Sequence, residues 1–282
     1  PSALWLLRRH FDFRLSIREV ARTAGDPLVI VRNLLGGAYG DAGTRQEGDL
    51  TRPAWDRIEL SHDRITEVAH TACDILAGYR DHELVSADKD NLFATSRLWR
   101  RTVSQVAADR GVEVKHLYID RLAFELAREL PAAVVLTEGI FGDILSDVAA
   151  ARAGSIALCS SASVNPGPRL AGRCRALFEP VHGSAPRRTG QGVVNPSGAY
   201  LALAAALGSD PSTRAAGVAV RTALADTIGD GYRTYDMPDR GRPPISTAEF
   251  SGRVNDAFER YGRSTGTAPG PASTPTKGTA RV

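Results

Sequence analysis

Cysteine is scarce in this 282-residue chain: Cys73, Cys159 and Cys174 are an odd number at wide spacings. That argues against a disulfide framework or a cysteine zinc site, and the expected setting is a reducing cytoplasm. Net charge is scarce too. With 35 Lys and Arg against 32 Asp and Glu, the formal charge is +3, which gives no electrostatic case for nucleic acid as a partner. No apolar run approaches the roughly 20 residues that cross a bilayer, so no membrane partner is expected. The opening, Pro1 to Arg9, runs from apolar to basic, the reverse of a secretory signal, and starts on Pro, which is not the expected natural first residue. No GxGxxG occurs, so the Rossmann fingerprint is absent. Lysine is nearly missing, since almost every basic residue is Arg.

What is present is a 43% hydrophobic chain, enough for one large domain or two intimately joined ones. Apolar runs alternate with stretches of helical period. Strands are expected at Pro27–Val31, Leu84–Ala87, Val114–Ile119, Ala133–Thr137 and Ser155–Cys159. Helices are expected after an N-cap at Ser61, over Ala94–Arg110 up to Gly111, over Asp143–Arg152, near Gly198–Leu207 and Pro211–Ile228, and over Thr247–Tyr261. Asn165–Arg175 reads as a Pro/Gly/Arg-rich loop and Gly262–Val282 as a disordered tail. The alternation argues for an α/β fold.

Several residues are equipped for chemistry. Asp143 and Asp147 stand at i and i+4, on one face of the helix. Two carboxylates so placed suit a hard divalent cation, though a helix cap and a solvated face use the same residues. Arg8, Arg18 and Arg32 could grip a di- or tricarboxylate bidentately or simply be surface arginines. Tyr39 follows Gly36 and Gly37 in GGAYGD, as a general acid or as a packed turn residue. Lys89 follows a strand between Asp88 and Asp90, and Asp120 ends another strand. His182–Pro186 (HGSAP) offers backbone donors in a turn that suits a phosphate-bearing ligand.

Each signal is weak alone. In order along the chain, LRRHFDFRLSIR, IVRNLLGGAYG, DKDNLF, LWRRTV, YIDRLAF, TEGIFGDILSD, SSASVNP, LFEPVHGSAP, GQGVVNP and STAEF resemble the isocitrate/isopropylmalate dehydrogenase family, including its tartrate/D-malate branch. FGDILSD and EPVHGSAP are the most specific blocks. The resemblance implies a metal-dependent, NAD(P)-linked oxidative decarboxylation of a malate-type 2-hydroxy acid. Arg8, Arg18 and Arg32 would hold substrate carboxylates, and Asp143 and Asp147 would bind Mg²⁺ or Mn²⁺. Asp120 would complete the metal site from the partner subunit of a homodimer with shared active sites. Lys89, also from the partner, would take the hydroxyl proton, and Tyr39 would return a proton to carbon. Asn91 would lie near the nicotinamide. His182, Gly183, Ser184, Ala185, Pro186 and Asn195 would hold the adenine side. Arg187 and Arg188 stand where NAD-dependent members carry an acidic residue, so NADP is expected over NAD.

The resemblance implies a two-domain fold. Residues 1–12 and 153–261 would form the large, cofactor-side domain, incomplete at its N-terminus. Residues 13–152 would form the small domain with the dimer interface. The match starts just before Arg8, so the family's first strand and Gly-rich loop are expected to be missing. Asn33 replaces an acidic residue, Gly139 an Asn and Glu19 a Pro, and the stretch between Arg18 and Arg32 is short. Leu4 and Trp5 suit an alkyl-substituted substrate such as isopropylmalate, whereas RRHFDF and SVNP look more like the tartrate/D-malate branch. The alternative function is a non-catalytic or degenerate partner subunit of the same family.

Overall fold

The computed structural model describes residues 3–22, 25–34, 37, 57–170, 173–239 and 241–265. Seven strands form one mixed sheet: β1 (Leu15–Val20), β2 (Leu28–Asn33), β3 (Glu83–Asp88), β4 (Val114–Tyr118), β5 (Ala133–Thr137), β6 (Cys159–Leu170) and β7 (Arg173–Pro180). Their order is β4-β3-β5-β2-β1-β6-β7. The β4, β3, β5 and β2 strands run parallel, and β1, β6 and β7 continue the sheet antiparallel. Because β1 pairs with β6, the segments expected to form separate domains share this sheet.

Strands β2 and β5 are covered on both faces, which is why they read as unbroken apolar runs. Val29, Val31, Val134 and Leu136 point to one face, under α2 (His62–Leu76) and α3 (Ala94–Asp109). Leu28, Ile30, Ala133 and Val135 point to the other, under α4 (Ile119–Arg128) and α5 (Gly139–Ala153). Trp99 of α3 is wholly buried, and its indole N–H donates to Ser86 Oγ at 3.1 Å, so the large ring is buried without stranding its polar atom. A third cluster, with Leu201, Leu224 and Phe250 at its centre, joins α6 (Ser197–Gly208), α7 (Arg214–Gly229) and α8 (Thr247–Thr265).

Local signals set the helix ends where they are strong. Ser61 caps α2 by accepting from the Arg64 amide, and Gly111 follows α3 with φ +64°. Elsewhere the structure corrects the expectations. Within Asn165–Arg175, residues 165–170 and 173–175 are strand and not loop: β6 and β7 pair antiparallel, with a register shift between Asn165 and Leu170. Register with β1 ends at Val164, so the prolines beyond it have only one neighbouring strand to satisfy. Ser155–Cys159 holds a 3-10 turn at Ile156–Leu158 before β6 starts. The α5 helix begins four residues before Asp143, capped by Glu138, whose side chain accepts from the Phe141 amide. Two glycines, at 139 and 142, hid that first turn. Helix α1 (Ala3–His10), strand β1 and helix α4 were not foreseen. Helix α8 continues to Thr265, past the expected start of the tail. Tyr39 and residues 266–282 lie outside the described residues.

Candidate active site

Strand pairing gathers the charged residues. Ser16 pairs with Arg32, and Arg18 sits two residues further along β1. Alternate residues share a face, so Arg18 and Arg32 both project toward α5. Asp143 receives them together: Arg18 at 3.1 Å and Arg32 at 2.9 Å, both on the same carboxylate oxygen. Asp147, one turn on, lies 3.6 Å from Arg18. Arg32 is almost fully buried and also donates to the Gly139 carbonyl at 2.9 Å. Arg18 contacts Ser146 Oγ as well. Burial first, and then the neighbouring Arg32, pull the Arg18 guanidinium below its ordinary value, while Asp143 and Asp147 oppose that shift. The two carboxylates remain partly open to solvent. Two cations and two anions thus face each other at the N-terminal half of α5.

Arg8 reaches the same face by another route. Ser161 pairs with Arg18 on one side and with Glu179 on the other, so Glu179 projects beside Arg18 two strands away, roughly 10 Å. Arg8 of α1 approaches Glu179 at 3.6 Å.

Lys89 and Asp120 form a second centre. Lys89 Nζ is 2.5 Å from Asp120 Oδ1. Asp120 does not end a strand; it stands in the first turn of α4. The lysine hydrogen bond holds its carboxyl below the ordinary value. Among the described residues, no group of three His, Cys, Asp or Glu side chains is close enough to hold a metal ion. Asn91 is exposed in the turn after β3.

A third region is a cavity of about 440 Å³ whose lining includes His182, Gly183, Ala185, Asn195, Tyr235 and Asp236. Ser184, Pro186 and Arg187 are on the exposed part of the same loop. Ala185 adopts φ +44°, a left-handed conformation unusual for a residue with a side chain. Asn195 is buried, with its amide donating to Asp236 at 3.2 Å and its oxygen accepting from the Ser197 amide at 3.0 Å. Asp236 also accepts from Ser155 and Thr234. Arg188 stacks over the Tyr235 ring at 4.8 Å.

Sequence reasoning missed Tyr235, Asp236, Glu138, Ser146 and Glu179. Ser146 and Glu138 carried a signal as neighbours of the aspartates in TEGIFGDILSD, and Glu179 carried one as the acidic residue of EPVHGSAP. The others reach their regions through tertiary contacts.

An α/β sheet whose strands present arginines to a carboxylate-bearing helix is the class these observations define. A sequence profile of the family described as isocitrate/isopropylmalate dehydrogenase matches residues 12–254, and the chain belongs to that family. It is 37% identical over 235 residues to the 3-isopropylmalate dehydrogenase of Pseudomonas syringae pv. tomato, covering 82% of this chain and 63% of that protein. It is 40% identical over 235 residues to the 3-isopropylmalate dehydrogenase of Salinibacter ruber, covering 83% of this chain and 61% of that protein. The chain therefore spans less than two thirds of these relatives. The crystal structure of a beta-decarboxylating dehydrogenase from Thermococcus kodakarensis, in its apo form, superposes with a TM-score of 0.75 at 31% identity, covering 92% of this chain and 73% of that one. An isocitrate dehydrogenase from Methylococcus capsulatus has the same fold, with a TM-score of 0.76 at 24% identity over 91% of this chain and 76% of that one.

Proposed function

We propose that this chain is the catalytic subunit of a beta-decarboxylating dehydrogenase acting on a malate-type 2-hydroxy acid, working as a homodimer. The observation that carries the proposal is the convergence of Arg18 and Arg32 on Asp143, with Asp147 one turn away. Substrate carboxylates would replace Asp143 as the partner of the arginines, which offer planar, paired donors.

Asp143 and Asp147 fit a hard divalent cation, Mg²⁺ or Mn²⁺, because both are carboxylates on one helix face. One chain supplies half of such a site, and the partner's Asp120 would complete it. A second copy has a surface to use: Phe124 of α4 and Ile140 and Ile144 of α5 are exposed apolar side chains beside Asp120 and Asp143. When bound, the cation supplies Lewis acidity and NAD(P) accepts the hydride.

The chain's own residues would do the rest. The partner's Lys89 would take the proton of the substrate hydroxyl. Arg8, Arg18 and Arg32 then hold the carboxylates while the C–C bond to the departing CO₂ breaks. Tyr39 returns a proton to the carbon that lost CO₂. The cavity around Asn195 takes the adenine side of the cofactor, with Asn91 near the nicotinamide. Arg188, stacked on Tyr235 and followed back along the chain by Arg187, places positive charge at its rim, which favours a 2′-phosphate and hence NADP. The relatives' name makes 3-isopropylmalate the first substrate to try.

The test is reduced-cofactor formation with Mn²⁺ and either NADP or NAD, offering 3-isopropylmalate, isocitrate, tartrate and D-malate, with and without chelator. Chelator-sensitive turnover of one acid is expected. Silence on all four, with no Mn²⁺ binding by the folded protein, would reject the catalytic reading in favour of a non-catalytic subunit.

A further inference from the structure

The turn that carries Lys89 is held by two arginines of α3: Arg97 donates to the Asp90 carbonyl at 3.0 Å, and Arg100 takes the two aspartate side chains. Asp88 ends β3 and is 1% exposed, among the most deeply buried carboxylates of the molecule. Arg100, in the second turn of α3, grips it with two bonds: Nε to Oδ2 at 2.9 Å and a terminal nitrogen to Oδ1 at 3.0 Å. The same guanidinium reaches Asp90 at 3.2 Å. Asp88 Oδ1 also accepts the Asp90 amide at 3.1 Å. The lysine between these two aspartates is thereby fixed at its backbone, and its carbonyl accepts the Leu92 and Phe93 amides at 3.0 and 2.9 Å. Its ammonium points away from both neighbours, to Asp120. Both cations lie over the Tyr118 ring, Lys89 Nζ at 5.6 Å and Arg100 Cζ at 5.4 Å from its centre.

The physical problem this solves is local. A lysine flanked by two carboxylates would fold back onto them, since opposite charges within 4 Å attract strongly near a protein surface. A guanidinium has enough donors in a fixed plane to engage both acids at once, whereas an ammonium presents a point charge. His116 is the other titratable neighbour of Asp88: its Nδ1 is 3.9 Å away while Nε2 is bonded with Ser104 at 2.9 Å. Burial, then Arg100, push its imidazole below the ordinary value, so it stays neutral and leaves Asp88 to the arginine.

We propose that Arg100 is the positioning residue for Lys89: by occupying Asp88 and Asp90 together it frees the lysine to face Asp120 and the substrate. This inference rests on the reading of Lys89 as the proton acceptor. The test uses the full chain in three forms. Arg100→Lys keeps the charge but not the double grip, the paired Asp88→Asn/Arg100→Met removes the buried carboxylate together with the half-buried guanidinium that neutralises it, and Lys89→Met removes the amine. In both Arg100 variants, amide exchange at Asp90, Leu92 and Phe93 should speed up at least tenfold while the amides of β5 keep their protection. Turnover should fall at least tenfold with KM for the hydroxy acid within about threefold, less severely in Arg100→Lys. Unchanged exchange at those three amides in both variants overturns the proposal. So does an inactive Lys89→Met beside Arg100 variants of normal turnover, a result that leaves the lysine reading intact. An active Lys89→Met instead overturns the lysine reading itself.

Discussion

Arg32 lies against the bare backbone of Gly142: a methyl group placed there would come within 2.8 Å of Arg32 Cδ and 2.9 Å of its Cβ. The missing side chain is what lets a buried arginine run along α5 to Asp143. Gly142→Ala should therefore displace Arg32 while leaving helix α5 intact. Overpacking of this kind costs about 1–3 kcal/mol, so kcat/KM for the hydroxy acid should drop by roughly 10- to 100-fold, mainly through KM. Steady-state kinetics on the variant check this, and an unchanged KM would contradict it.

Glu138 caps α5 from a buried position, and burial pushes its carboxyl above the ordinary value of 4.5 despite amide donors and Arg32. A raised carboxyl costs the native state stability once it is ionised, above its folded pKa. That cost shrinks as pH falls below the folded value and vanishes only below 4.5, where the unfolded carboxyl is protonated too. Glu138→Gln keeps an oxygen for the Phe141 amide and never ionises. It should melt higher than the parent at pH 7.5, with the gain shrinking toward pH 4.5. Melting curves at the two pH values decide it, and an equal gain at both would refute the ionisation argument.

Ile144 is 57% exposed between Asp143 and Ser146, on the helix that carries the carboxylates. If a second copy covers α4 and α5, Ile144→Glu buries an unpaired charge at the interface. An uncompensated buried charge costs about 3–5 kcal/mol. Sedimentation equilibrium should show a dimer for the parent and mostly monomer for the variant. A dimer of equal strength would place the interface elsewhere.

Arg188 over Tyr235 is the charged rim of the Asn195 cavity. Reversing its charge should weaken NADP and spare NAD. Arg188→Glu is expected to lower the NADP-to-NAD ratio of kcat/KM by about tenfold or more, equivalent to roughly 1.4 kcal/mol. Cofactor titrations followed by fluorescence provide the same comparison without turnover. Equal loss for both cofactors would show that Arg188 does not read the 2′-phosphate.

Sequence by itself determined the central strands and most helices. Runs such as PLVIV and AAVVLT admit only elements buried on both faces, and Ser61 and Gly111 mark helix ends through local capping chemistry. It also determined the Asp143–Asp147 pairing, because helical spacing puts i and i+4 on one face whatever surrounds them. Strand β1 was invisible because LSIREV mixes charges into a short run, and its arginine makes sense only against α5. Whether Arg18 and Arg32 meet depended on the antiparallel register of β1 on β2, and the grip of Arg100 on Asp88 on how α3 packs over β3. Local chemistry is written within a turn or two of chain. Charges brought together from residues far apart depend on how the sheet pairs and the helices pack, which no short window of sequence encodes.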